Sequence, residues 1–137
     1  MMETLVFAAI ILGGLLYRLV ATRVVPARYR RKAILTGGER DFFFRLQEAL
    51  PECVVCPQVA VSALLEPVGV GKLRQAAVDC IDGKRVGYAV FDRDMQLIAV
   101  VELDHRTRTS RRAAARDAYF AGAGIKTVRF QSKRLPS

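Results

Sequence analysis

An apolar run near the N-terminus constrains this chain more than any other feature. Leu5 to Tyr17 carries no charge, and the apolar character persists to Val25. Wound as a helix, the 21 residues from Leu5 to Val25 are about 31 Å long, close to the ~30 Å of a bilayer hydrocarbon core. Arg18 and Arg23 fall toward the end of the run, where long side chains can reach the headgroups. Tyr17 and Tyr29 suit the interface. A cleaved signal peptide would place positive charge before its apolar core. Here Met1-Met2-Glu3 precedes the run and the basic residues follow it, so the pattern reads as a retained, single-pass transmembrane helix. Ala9 and Gly13 share one face at the spacing that lets helices pack closely.

The chain has a net charge of +9, and more than half of the excess lies in residues 1–32, where six basic residues oppose Glu3 alone. Basic residues beside an apolar helix favour anionic lipid and set orientation: N-terminus outside, C-terminal part in the cytoplasm. The expected organisation is a transmembrane helix over 1–25, a basic linker over 26–34 (including PARYRRK), a folded domain over 35–131 and a tail over 132–137.

In the folded part, Thr36-Gly-Gly-Glu39 is a capping box opening a helix that Pro51 ends, with Phe43, Leu46 and Leu50 as its inward face. Cys53 to Val61 is rich in β-branched residues and reads as a strand. Ser62 to Gly71 reads as a turn or helical loop, and Leu73 to Ile81 fits either extended or helical structure. Arg85–Phe91 and Gln96–Leu103 read as a hairpin around Asp92-Arg-Asp94, buried on both faces. Thr109 or Ser110 caps a helix ended by Gly122 or Gly124, and Ile125–Phe130 is a last strand. The expected class is α/β, in the order α-β-β-β-α-β.

Three groups of residues carry potential chemistry. Cys53 and Cys56 have C-x-x-C spacing, but i and i+3 point to opposite faces of a strand, and only Cys80 and His105 could complete a zinc set. They read as buried thiols of a cytoplasmic strand. Glu102 and Asp104 share one face of their strand at its end. They either hold a hard cation or form a solvated strand end beside Arg106 and Arg108. Arg111, Arg112 and Arg116 follow, with Arg112 and Arg116 at i, i+4. They either contact phosphates or form a solvated face on which Asp117 pairs locally.

The stretches LTGGERDFFFRLQEALPECVVCPQVAVSALL and VELDHRTRTSRRAAARDAYFAGAGIKTVRF resemble the bacterial family called domain of unknown function 2726 over Leu35 to Phe130. That family is similar to the restriction-endonuclease-like PD-(D/E)XK nucleases and often follows an N-terminal membrane helix, which implies the bacterial inner membrane. The best-matched pieces are Glu39 with its aromatic helix, Pro57-Gln58-Val59, Glu102-Leu103-Asp104, Arg116-Asp117, and Ala123-Gly124-Ile125 leading to Arg129. The resemblance implies an αβββαβ core with a mixed sheet. It implies Mg²⁺ held by Glu102 and Asp104, with Glu39 reaching the site from the first helix, and nucleic-acid contact by Arg112, Arg116 and Gln58. Where the family reads Val-Asp-Phe on the second strand, this chain reads Val86-Gly87-Tyr88. Gly87 thus replaces a metal-binding Asp, and a hard-cation site depends on carboxylate charge. His105 is expected at the surface. The expectation is a membrane-tethered nuclease-fold domain that binds nucleic acid or a partner without cutting. The alternatives are an active Mg²⁺-dependent endonuclease and a membrane scaffold with no nucleic-acid role.

Overall fold

The computed structural model of the chain describes residues 1–21, 28–104 and 110–132. The chain divides into two compact units, Met1–Lys32 and Ala33–Ser137. The first contains one helix, α1, Met2–Ala21. Val6, Phe7, Ile10, Ile11, Leu12, Leu15, Leu16 and Tyr17 are each more than half exposed, so α1 is apolar around its circumference. Among the described residues no helix is long and apolar enough to cross a membrane. Of the expected span, Leu5–Val25, the residues up to Ala21 are helical, and the last four lie outside the described ones.

In the second unit, α2 is Gly37–Ala49. Its start is the expected capping box: Glu39 Oε2 accepts hydrogen bonds from the Thr36 backbone N–H and the Thr36 hydroxyl, both at 2.8 Å. The buried face is Phe42 and Leu46, an i, i+4 pair, while Phe43 and Leu50 are only partly buried. This corrects the expected face by one residue. Phe42 lies between Tyr88 and Phe130, its ring centroid 5.3 Å from each, which no helical periodicity could specify.

Strand β1 is Val54–Pro57, shorter than the expected Cys53–Val61. Gln58, at φ +56°, kinks the chain and ends the regular ladder. Pairing resumes beyond the kink, where Gln58 N–H donates to the Gly87 carbonyl and Val86 N–H to that of Val59. A short 3-10 turn, Val61–Ala63, follows, and then α3, Gly71–Ile81. The segment that the pattern left undecided is thus helical, and the order becomes α-β-α-β-β-α-β, one helix more than expected. Strands β2, Tyr88–Phe91, and β3, Leu97–Asp104, form the predicted hairpin. Gly87 lies just before β2 rather than within it. Helix α4 is Arg111–Gly122, capped by Ser110 Oγ, which accepts from Ala113 N–H at 3.2 Å. Strand β4 is Lys126–Gln131.

The sheet order is β1-β2-β3-β4, antiparallel except for the parallel β3–β4 pair. The mixed sheet expected from the resemblance is present. Because strand residues alternate between faces, two cores form. Val55, Tyr88, Val90 and Val101 pack beneath Phe42 and Leu46 of α2. Ala89 and Val100 pack with Ile81 of α3 and Phe120 of α4 on the other side. The same alternation puts Glu102 and Asp104 on the Val100 face, toward α4.

Candidate functional site

The polar centre lies between the C-terminal half of β3, α4 and β4. Glu102 is opposite Arg129 in the β3–β4 register, and Asp104 is opposite Gln131. Arg129 is the hub. Its Nε and Nη2 donate to the two Asp117 carboxylate oxygens at 2.9 and 2.6 Å, and its Nη1 donates to Asp104 Oδ2 at 3.0 Å. Its side chain is only 16% exposed. The bidentate fork fixes both geometry and charge. The Asp117 hydrogen bond, aided by Asp104 and opposed by burial, holds the guanidinium charged well above its ordinary range.

Glu102 is the more deeply buried acid, its side chain 12% exposed. Arg116 Nη2 lies 3.0 Å from Oε1 as an ion pair. The alignment is poor, so this buried oxygen accepts no hydrogen bond. Arg116 Nη1 donates instead to the Arg85 carbonyl at 3.2 Å. Burial pushes the Glu102 carboxyl above the usual carboxylate range. Arg116, a hydrogen bond from the Gly87 backbone and Arg129 oppose that shift, and Asp104 adds to it.

The structure separates the expected ligands. Glu102 and Asp104 share a face, as their spacing predicts, but each faces an arginine. Glu39 uses Oε2 in the α2 capping box, and α2 covers the opposite face of the sheet. At Gly87, a Cβ would meet the Val101 carbonyl oxygen at 3.0 Å and Glu102 Oε2 at 3.3 Å, so any side chain there, the Asp of the resemblance included, requires its neighbours to give by a few tenths of an ångström. Among the described residues no group of three or more His, Cys, Asp or Glu side chains could hold a metal ion. The described residues do not fit Mg²⁺: Gly87 offers no ligand, and Glu102 and Asp104 are already paired with Arg116 and Arg129.

Of the residues assigned to nucleic acid, Arg112 is exposed on α4, whereas Arg116 is half-buried and engaged with Glu102 and Arg85. Gln58 lies at the β1 kink, with its backbone bonded to Gly87. Arg106, Arg108 and His105 lie outside the described residues. Cys53, Cys56 and Cys80 are free thiols; Cys53 and Cys56 are half-buried rather than buried as expected, because Cys53 precedes β1 and Cys56 lies on its edge strand. Asp117 does not pair along its own helix as expected, but across to Arg129.

Two further groups escaped the sequence reading. Arg129 could be recognised as a hub only from the parallel β3–β4 register. Tyr88 donates its hydroxyl to the Glu39 carbonyl at 2.6 Å. Its phenol is pushed up to about 12, by burial first and then by the negative charges of Glu39 and Glu102.

Fold and site together define a small mixed α/β domain whose Glu102, Asp104 and Asp117 carboxylates are paired with arginines. The chain belongs to the family described as protein of unknown function (DUF2726), whose profile matches residues 31–135. It is 28% identical over 99 residues to an uncharacterized protein of Haemophilus influenzae, an alignment covering 69% of this chain and 50% of that protein. The chain thus spans about half the length of this curated relative. No solved structure matches the chain significantly.

Proposed function

We propose that this chain is a membrane-anchored, nuclease-like domain that binds nucleic acid without metal-dependent cleavage. The observation that carries this reading is the arginine closure of the carboxylates: Arg116 on Glu102, and Arg129 on Asp104 and Asp117. A hydrolytic site of this type needs a metal to activate water and stabilise developing charge. Here the cations are guanidinium groups, which cannot ionise a bound water. Arg111 and Arg112, exposed on the first turn of α4, give the folded unit a basic edge for phosphates. The exposed apolar circumference of α1, followed by Arg28, Arg30, Arg31 and Lys32, supports a single-pass lipid anchor with the folded unit on the cytoplasmic side of a bacterial inner membrane.

The test uses the purified full chain in mild detergent. Titration calorimetry with Mg²⁺ and Mn²⁺ is expected to show no binding at millimolar concentrations, and plasmid and RNA substrates are expected to remain intact. Nucleic-acid affinity should fall steeply with salt, and Arg112→Ala should reduce the slope of log K against log salt by about 0.9 if Arg112 contacts one duplex phosphate. Metal-dependent cutting that Glu102→Ala abolishes would replace this reading with an active endonuclease. Salt-indifferent or absent binding would remove nucleic acid as the partner. A topology reporter that places the C-terminus outside would overturn the cytoplasmic assignment.

A further inference from the structure

The loop Pro67-Val-Gly-Val70, which leads into α3, and the first turn of that helix, Gly71-Lys-Leu-Arg74, together carry the most exposed large hydrophobic residues described in the folded unit. Val68, Val70 and Leu73 are 84%, 83% and 79% exposed, above every other large hydrophobic described in that unit. All nine residues from Val68 to Ala76 are exposed. The shape is specified locally: Gly69 at φ +104° and Gly71 at φ +58° flank Val70 in conformations that L side chains rarely adopt. The loop therefore presents its aliphatic side chains outward by construction. At its base Leu65, Val68, Ala77, Ile81 and Tyr119 help line an apolar cavity of about 420 Å³, which extends the apolar surface inward. Lys72 and Arg74 flank the tip, and residues 67–78 contain no acidic side chain; Glu66 lies just before them.

We infer that this loop is a second lipid contact, inserting Val68, Val70 and Leu73 at the headgroup–acyl boundary of an anionic bilayer while Lys72 and Arg74 bind its phosphates. A convex aliphatic tip with basic neighbours matches an interfacial insertion element. A protein-docking centre would be richer in Tyr, Trp and Arg anchors set among packed neighbours. Lipid is also the phase required by the exposed apolar side chains of α1, and on that point the inference rests on the anchor proposed above. Two contacts would orient the folded unit at the bilayer, which a single point of attachment does not do.

The chain contains no tryptophan, so a single introduced one reports its own surroundings. Val68→Trp and Leu12→Trp are made separately in the full chain and reconstituted into vesicles of phosphatidylcholine with phosphatidylglycerol, or of phosphatidylcholine alone. The expected result for V68W is blue-shifted emission and quenching by lipids brominated on the acyl chain, in anionic vesicles only. Lys72→Gln and Arg74→Gln should each weaken the anionic-vesicle response about fivefold. V68W emission that stays water-like while L12W is quenched would overturn the loop contact and leave the anchor standing. A water-like L12W would remove the anchor, and V68W would then decide the loop alone. A V68W blue shift without lipid that grows with protein concentration would assign the loop to a second copy of the chain and overturn the lipid assignment.

Discussion

Arg129→Met tests whether the arginine hub holds the site together. The substitution keeps much of the apolar stem of the side chain but removes four hydrogen bonds from the guanidinium, two to Asp117, one to Asp104 and a long one to the Ala113 carbonyl. Breaking a fully buried pair by deleting one partner costs about 3–5 kcal/mol, because the remaining charge is left uncompensated. Asp104 and Asp117 are 31% and 29% exposed, so water recovers part of that cost and about 3 kcal/mol is expected. For a domain of this size, that corresponds to a fall in Tm of roughly 12–24 °C. The assay is circular dichroism during thermal unfolding of the full chain in mild detergent, following the α/β unit. Adding Asp104→Asn and Asp117→Asn to R129M should recover part of the loss, because no unpaired carboxylate then remains. R129M melting within a couple of degrees of the parent would refute the hub. A triple variant no more stable than R129M alone would show that unpaired carboxylate charge is not the source of the loss.

Three more outcomes follow from the same geometry. Tyr88→Phe removes the hydroxyl that donates to the Glu39 carbonyl and should cost about 1 kcal/mol, read as a lower Tm; an unchanged Tm would mean that the bond contributes nothing net. Glu102→Gln should flatten the pH dependence of stability. The folded Glu102 carboxyl titrates above its unfolded value of about 4.3, so the native state holds its proton longer and stability declines as pH rises from there through the folded value. An identical Tm–pH profile in the E102Q variant would exclude this source. Gly87→Ala should destabilise by about 1–3 kcal/mol through its 3.0 Å approach to the Val101 carbonyl. Gly122→Ala, where a Cβ meets nothing within 4 Å, should leave the melting temperature unchanged or raise it. Equal effects of the two would contradict the tight packing at Gly87.

Local signals were legible wherever one stretch of chain decides its own structure. The capping box at Thr36 and Glu39, the hairpin of β2 and β3, the Ser110 cap and the terminal strand all follow from residues within a few positions of one another. α3 was not legible, because its exposed half has no apolar stripe to set a period and an extended reading fits equally well. The Phe42 anchor was missed by one position because Tyr88 and Phe130, distant in sequence, decide which ring fits between them.

The sequence by itself determined the apolar N-terminal run, the α/β class and the shared face of Glu102 and Asp104, since periods of 3.6 and 2 are properties of the backbone. Only the tertiary structure decided what the acids do. Parallel pairing of β4 with β3 brings Arg129 to Asp104, while packing of α4 brings Asp117 to Arg129 and Arg116 to Glu102. Each contact joins residues 12 to 25 positions apart, and a charge so placed is neutralised by whichever partner the fold delivers, which no local pattern encodes.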